Sequence, residues 1–368
     1  MQAGHRVGAT AAACLALLAG GLAGCQASAP VGLHRPGPSR GPSRTVPGGW
    51  RTARSGRAGA ITLAFAGDVH FTGRTARLLR HPATAFGPIA SVLRSADLTV
   101  LNLETAVTSR GVPQPKYYHF RTNPLAFVAL RDAGVDVANM ANNHVLDYGR
   151  VGLADTLAAA RRAGFPVLGI GPNAAAAWRP YLVTVKGVRI ALLGVSQVAE
   201  LAPSWVATAT RSGEANAINL RRTLAAVRAA RRIAQVVIVF MHWGTEGTAC
   251  ADPNQLFLAR KLAAAGANII VGSHAHMLEG SGWLGHTFVA YGLGNFVWWE
   301  HSFSTADGVL LITLHPRRPF TSLSHRFIPA TVSRTGQPIV DSGLAARRAL
   351  AHYRSLRACA ELSARPGR

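Results

Sequence analysis

From about residue 60 onward the chain alternates short, continuous apolar runs with longer stretches in which Ala, Leu and Val recur at helical spacing among Arg and polar residues. The runs 61–66, 98–101, 135–140, 166–170, 188–195, 236–240 and 268–271 are short and rich in Val, Ile and Leu, and they predict buried strands. The stretches 85–96, 124–133, 152–163, 219–234 and 253–265 predict helices. Alternation of this kind implies a parallel sheet covered by helices. Two later runs, 287–297 and 309–315, have no helix between them; they predict antiparallel strands and with them a second sheet. A closing helix is expected over 342–361. The expected architecture is α/β: two central sheets flanked by helices, with no internal repeat.

The N-terminal part follows a different pattern. A short positive segment, Met1 to Arg6, leads into an apolar run over 11–22 that is too short to span a bilayer, and Leu22-Ala23-Gly24-Cys25 follows. This reads as a secretory signal over 1–25. Its end resembles a bacterial lipobox. The resemblance implies cleavage before Cys25, a lipid on Cys25, and attachment to the outer face of the cell membrane; the alternative is an ordinary signal with a chance cysteine. Beyond residue 25 no stretch has the length and apolarity of a spanning helix. Residues 26–59 are rich in Pro, Gly, Ser and Arg and read as a basic, flexible tether. The globular domain is expected over 60–330, with a C-terminal extension over 331–368. Once Cys14 and Cys25 are assigned to the leader, Cys250 and Cys359 remain. In an exported chain such a pair suggests a disulfide. The loop it closes is long enough to contribute about 4–5 kcal/mol in the chain-entropy view; the alternative is two unrelated thiols.

Charge narrows the choice of partner. The formal net charge is +23 and is carried by arginine, since the only lysines are Lys116, Lys186 and Lys261. Such an excess attracts polyanions. No DNA- or RNA-binding motif accompanies it and the export signal argues against nucleic acid, so an anionic envelope polymer or lipid surface is the expected partner. Part of the bias follows from a composition rich in Ala, Gly and Arg.

Candidate chemistry gathers at the ends of the predicted strands. Asp68 and His70 are two apart and can point to one side, a common half-site for a divalent metal; the alternative is a turn-capping Asp and a solvated His. Glu104 follows the 98–101 run, and its two oxygens can each bind a cation, although a carboxylate favoured by a helix start reads the same way. In Asn142-Asn143-His144, Asn143 offers a carbonyl oxygen, His144 a proton donor and Asp147 a carboxylate to orient His144. His242 follows the 236–240 run. His274 and His276 follow the 268–271 run, and two imidazoles at that spacing can serve neighbouring metals. Five of the 14 histidines occupy such strand ends, where parallel sheets collect their ligands. A two-metal site is therefore expected. Lys116, Tyr117, His119 and Arg121 form a basic, aromatic loop suited to an anionic substrate, or simply a solvated one. Glu246 and Glu279 are expected to support the histidines. Trp298 and Trp299 are expected to pack rather than to line a cleft.

Together, Gly67-Asp68-Val69-His70, Asn102-Leu103-Glu104, Asn142-Asn143-His144, His242-Trp243-Gly244, Gly272-Ser273-His274-Ala275-His276 and Tyr291-Gly292-Leu293-Gly294-Asn295-Phe296 resemble the CapA family, bacterial capsule-synthesis proteins linked to poly-γ-glutamate and a branch of the calcineurin-like metallophosphoesterases. The resemblance runs from about residue 61 to about 315. It implies a four-layer α/β/β/α sandwich and two divalent ions (Mn, Fe, Zn or Co). Asp68, His70 and His276 would hold the first ion, and Asn143, His242 and His274 the second. Glu104 would bridge them, where the wider superfamily has Asp, and His144 would protonate a leaving oxygen. Arg121, Tyr117 and Asn295 are assigned to substrate binding. The implied function is a dinuclear metal-dependent hydrolase, phosphoesterase-like, acting in capsule or poly-γ-glutamate metabolism. The alternative is a tethered accessory protein that binds or exports an anionic polymer without catalysis.

Overall fold

A computed structural model describes residues 59–299, 302–315 and 323–367. The expected leader, the lipidation site Cys25 and the tether lie outside the described residues.

In chain order the first sheet begins with β1 (Ile61–Val69), β2 (Leu98–Leu103), β3 (Val137–Asn139) and β4 (Val167–Leu168). The second sheet follows with β5 (Tyr181–Val185), β6 (Val188–Ser196), β7 (Val236–Trp243), β8 (Ile269–His274), β9 (Ser281–Leu284) and β10 (Thr287–Ala290). The chain then returns to the first sheet through β11 (Asn295–Val297), β12 (Ala306–Leu314), β13 (Ser324–Val332) and β14 (Pro338–Val340). The first sheet runs β14-β13-β12-β1-β2-β3-β4, with β11 also beside β1, and the second runs β9-β10-β8-β7-β6-β5. Helices α1 (Leu125–Ala133) and α2 (Gly149–Ala163) make parallel crossovers in the first sheet. Helices α3 (Leu220–Ile233) and α4 (Pro253–Ala265) do so in the second, and α5 (Gly343–Ser355) follows β14.

Strand β7 shows why the sheets stack. Every residue of it is buried, as a strand covered on both faces requires. Val236, Ile238 and Phe240 join Phe65, Val100 and Val137 of the opposite sheet in one core. Val237, Val239 and Met241 alternate to the other face and pack with Val227 of α3 and Leu258 and Leu262 of α4. Helix, sheet, sheet, helix is the layered α/β architecture that the motifs implied.

The late strands depart from expectation. They do not form a sheet of their own. The 287–297 run divides: β10 lies parallel to β8 in the second sheet, while β11 lies parallel to β1 in the first. Gly292 and Gly294 interrupt it, and Gly294 takes a φ of 68°. Strand β12 does pair antiparallel, but with β1, so it extends the first sheet. The expected helix over 85–96 is shorter: Gly87, at φ 60°, starts a turn of 3₁₀-helix, and α-helix covers only Ala90–Arg94. Strands β5, β9, β13 and β14 were not legible. The β5–β6 hairpin turns on Lys186-Gly187, with φ of 46° and 84° and Val185 opposite Val188, the two-residue turn that matches strand twist. After β14, which continues the first sheet, comes α5, whose Tyr353 stacks on Phe327 of β13 at 3.9 Å; further on, Ser363 pairs with Trp283 of β9. The structure joins Cys250 to Cys359, tying the C-terminal segment to the loop after β7.

Away from the strand ends, Glu214 is buried with one carboxylate oxygen unpartnered, while Asn216 Nδ2 donates to the other at 2.8 Å. Burial pushes its carboxyl from 4.5 up to about 8. The unfolded chain ionises near the lower value, so the stability this group contributes is full below it and is lost as pH rises through about 8. Glu214→Gln removes that loss. Its melting temperature should exceed the parent's above about pH 8 by more than at about pH 5; parallel pH trends for the two proteins would contradict the assignment.

Candidate metal centre

The carboxyl ends of β1, β2, β3, β7 and β8 meet at one edge of the sandwich. Register aligns Asp68 with Asn102 across β1 and β2, and Asn102 with Asn139 across β2 and β3. In the other sheet His242 lies beside Ser273, and Trp243 beside His274. Because the two sheets stack, side chains from both enter one pocket. Asp68, His70, Glu104, Asn143, His144, His242, His274 and His276 are all buried.

Glu104 is at the centre. Its Oε1 lies 3.4 Å from His242 Nε2 and 3.8 Å from His144 Nε2 and accepts no hydrogen bond. Potential ligand atoms form two close sets among the described residues, each within 4.8 Å: Asp68, Glu104 and His242, and Glu104, His274 and His276. Glu104 belongs to both. His242 Nε2 also lies 2.8 Å from Asn143 Oδ1, two donor atoms that one cation could share. His276 Nδ1 is 3.6 Å from Asp68 Oδ2, and the His242 and His274 rings are 4.6 Å apart. His70 stands slightly aside, in neither set. It packs against Phe120, Trp298 and Trp299, accepts the Thr72 backbone N–H on Nδ1 at 2.8 Å, and leaves Nε2 buried without a partner.

Support for these groups comes from residues whose role the sequence did not reveal. Asn102 Nδ2 donates to Asp68 Oδ1 at 2.8 Å, while its Oδ1 accepts from Asn139 and Asn142 at 2.9 and 3.2 Å. This asparagine network fixes the amide and aims the carboxylate. Asn102 is two residues before Glu104, which directly follows β2; that spacing is the signal that it shares the site face. Asn295 stands behind His276: its Oδ1 accepts from Nδ1 at 2.8 Å, and its Nδ2 donates to the carbonyls of Ser302 and Ser304. The ring's Nε2 is thereby left without a proton and open to a cation. Glu279 accepts from Gln255 Nε2 at 2.8 Å, not from a site histidine. His274 and His276 take φ of 95° and 55°, rare for residues with a Cβ. Such backbone costs about 1–3 kcal/mol each and concentrates at functional sites.

His144 is set apart from the ligand cluster by its partners. Its Nδ1 meets Asp147 Oδ2 at 2.7 Å, and its ring stacks on Phe120 at 3.9 Å. Lys116, itself buried, holds Asp147 Oδ1 at 3.2 Å and Glu200 at 2.9 Å, and donates to the Asn143 carbonyl. The remaining residues assigned to substrate lie outward. Tyr117 is 86% exposed, and the Arg121 guanidinium covers the Tyr148 ring at 4.6 Å.

The electrostatics suit divalent cations. Burial, with Glu104 next in effect, pushes Asp68 up to about 6. Burial also raises Glu104 well above the carboxylate range and lowers His70, His144 and His274 well below the imidazole range. Burying two ionised acids beside neutral rings is costly unless a cation compensates. Orphaned Glu104 Oε1, His70 Nε2 and His274 Nδ1 give further unused donor atoms. Mixed N/O donors of this kind fit a borderline divalent metal.

The sequence profile of the bacterial capsule synthesis protein family PGA_cap matches residues 62–299, which contain every residue of this cluster. The chain belongs to that family. It is 31% identical to the PGA biosynthesis protein CapA of Bacillus subtilis over 68% of this chain and 67% of that protein. It is 28% identical to the capsule biosynthesis protein CapA of Bacillus anthracis, covering 68% of this chain and 63% of that one. A probable polyglutamine synthesis accessory protein of Mycobacterium tuberculosis is 29% identical over 68% of this chain and 70% of its own. The chain thus spans about two thirds of the length of these relatives. Among solved structures, a novel phosphatase from Mycoplasma pneumoniae aligns with a TM-score of 0.48 at 12% identity, over 80% of this chain and 97% of that one. The NAD nucleotidase of Haemophilus influenzae aligns at 0.45 and 14%, over 84% and 58%.

Proposed function

We propose that this family member is a dinuclear metal-dependent hydrolase that cleaves a phosphoester or another bond in an anionic envelope polymer, acting outside the membrane and anchored through a lipid on Cys25. The observation that carries the reading is Glu104, whose carboxylate belongs to both sets of donor atoms. The relatives named for PGA and capsule biosynthesis support the polymer as substrate class. Asp68, Glu104, Asn143, His242, His274 and His276 would hold the ions, with His70 beside them. When bound, a pair of divalent ions supplies charge neutralisation and activates water for in-line attack.

The chain's own residues do the rest. Asp147 and the Phe120 ring fix the plane of His144, and its Nε2 faces the cluster at Glu104. An anionic substrate beside the ring favours the imidazolium. In that form Nδ1–H stays with Asp147, and Nε2–H is presented to the leaving oxygen. Burial raises the Asp147 carboxyl to about 7; Lys116 partly opposes that shift and pins the Asn143 backbone. Burial excludes bulk water from the cluster.

The arginine excess favours a second reading, a non-catalytic accessory protein that binds the polymer. The two separate under chelation. Purified protein should hydrolyse members of a phosphoester and γ-glutamyl substrate panel, lose that activity to a chelator, and regain it with Mn, Zn, Fe or Co. Polymer binding that persists through chelation, with no hydrolysis of any substrate in the metal-replete protein, would leave only the accessory role.

A further inference from the structure

A second cavity, of about 630 Å³, lies beside the candidate metal centre and has no part in holding ions. Its volume is within the range of small-molecule sites. It sits on a two-stranded ribbon, Ala106–Val107 paired with Arg121–Thr122, that begins two residues after Glu104. Phe120, next to Arg121, is the ring that stacks on His144, and Phe71, next to His70, lines the cavity. The ribbon and the start of the Phe71 loop are therefore shared by the two sites.

The chemistry of the lining is specific. Arg110, Arg121 and Arg162 border it, against one acid, Asp155. Arg110 engages Asp155 from two nitrogens, Nε at 3.0 Å and Nη2, the two-point geometry by which guanidinium takes a carboxylate. Neither Arg121 nor Arg162 is in an ion pair among the described residues, although Arg162 is near enough to help hold Asp155 low. Between the arginines the wall is apolar, formed by Phe71, Ala76, Val107, Pro124 and Ala159. A small inorganic anion would use the arginines and leave this wall idle. A chain whose methylenes separate its carboxylates would use both.

We infer that this cavity is a subsite for an extended acidic chain: carboxylates are taken by Arg121 and Arg162, and the intervening methylenes rest on the apolar wall. The assignment builds on the polymer reading above and makes the substrate a carboxylate-bearing oligomer that passes from the cavity toward His144.

The test is binding of a labelled glutamate oligomer to the full-length protein at fixed salt, with a glutamine oligomer as the uncharged probe. Arg121→Gln combined with Arg162→Gln should weaken glutamate-oligomer binding about tenfold or more, since each loses a charge-assisted hydrogen bond. Divalent metal content by elemental analysis should stay at the parent level. Arg347→Gln with Arg348→Gln removes the same charge from the exposed face of α5 and should change binding little. The inference is overturned if this control pair weakens binding as much as the cavity pair, if the glutamine oligomer binds as tightly, or if inorganic phosphate at equal ionic strength competes where the glutamate oligomer does not. Binding confined to the cavity arginines in a protein that takes up no metal would uphold the subsite and remove the hydrolase; metal-dependent hydrolysis with no oligomer binding would do the reverse.

Discussion

His144→Ala is expected to keep the parent's divalent metal while losing about 10²- to 10⁴-fold in turnover, the usual contribution of a positioned proton donor. The two halves of this prediction have separate origins. Metal should stay because His144 belongs to neither set of close-lying ligand atoms, and its Nδ1 is committed to Asp147 at 2.7 Å. Turnover should fall because the His144 ring, held by Asp147 on Nδ1, turns Nε2 to the cluster at Glu104, where it can deliver a proton. Asp147→Asn should lose less than His144→Ala, since Phe120 still stacks on the ring. Elemental analysis and single-turnover rates on the same preparation decide the matter. If His144→Ala lost its metal, the residue would be a ligand and the assigned role would be wrong.

Gly272→Ala is expected to destabilise the fold by several kcal/mol or to prevent folding, beyond the roughly 1–3 kcal/mol of ordinary overpacking. A Cβ at Gly272 would meet the Tyr291 carbonyl oxygen at 1.8 Å and Trp243 Nε1 at 2.2 Å. Those atoms cannot give way easily. One is backbone, the other is fully buried, and they hydrogen-bond to each other at 2.8 Å. The strain falls two residues before His274, so any protein that does fold should also bind metal less tightly. Gly187→Ala is the comparison. Gly187 has a φ of 84° but open space around it, so its cost is limited to the left-handed backbone, about 1–2 kcal/mol. Thermal melting of both variants checks the contrast; a Gly272→Ala melting point close to the parent's would show that the close packing of β7, β8 and the 291–294 segment has been misjudged.

Much of the site was legible because of where the chemistry sits. A strand buried on both faces carries a continuous apolar run, so the first polar residues after it stand out; Asp68, His242, His274 and His276 were marked this way. What lay beyond reach depended on lateral neighbours. That Asn102 links Asp68 to Asn139 and Asn142 follows from β2 lying between β1 and β3, a fact of topology and not of local pattern. Asn295 was assigned to substrate along with the family resemblance; that parallel pairing of β11 with β1 brings it behind His276 could not be read from the local pattern. Lys116, whose side chain is buried, read as part of a loop suited to an anionic substrate or simply solvated, since nothing in the sequence announces that Asp147 and Glu200 meet it from distant segments. The late strands were misplaced for the same reason: period and length identify a strand, but the sheet it joins is decided by which edge is open.

The central claim is that residues spread from Asp68 to His276 share a pair of cations through Glu104. Its most direct measurement is metal stoichiometry at neutral pH, by calorimetric titration of chelator-stripped protein and elemental analysis of the product, for the parent and Glu104→Ala. The account predicts about two divalent ions per chain for the parent, in keeping with a two-metal site, and loss of tight binding of both in Glu104→Ala. A parent that takes up no divalent metal, or a Glu104→Ala protein that binds both ions as tightly as the parent, would contradict it.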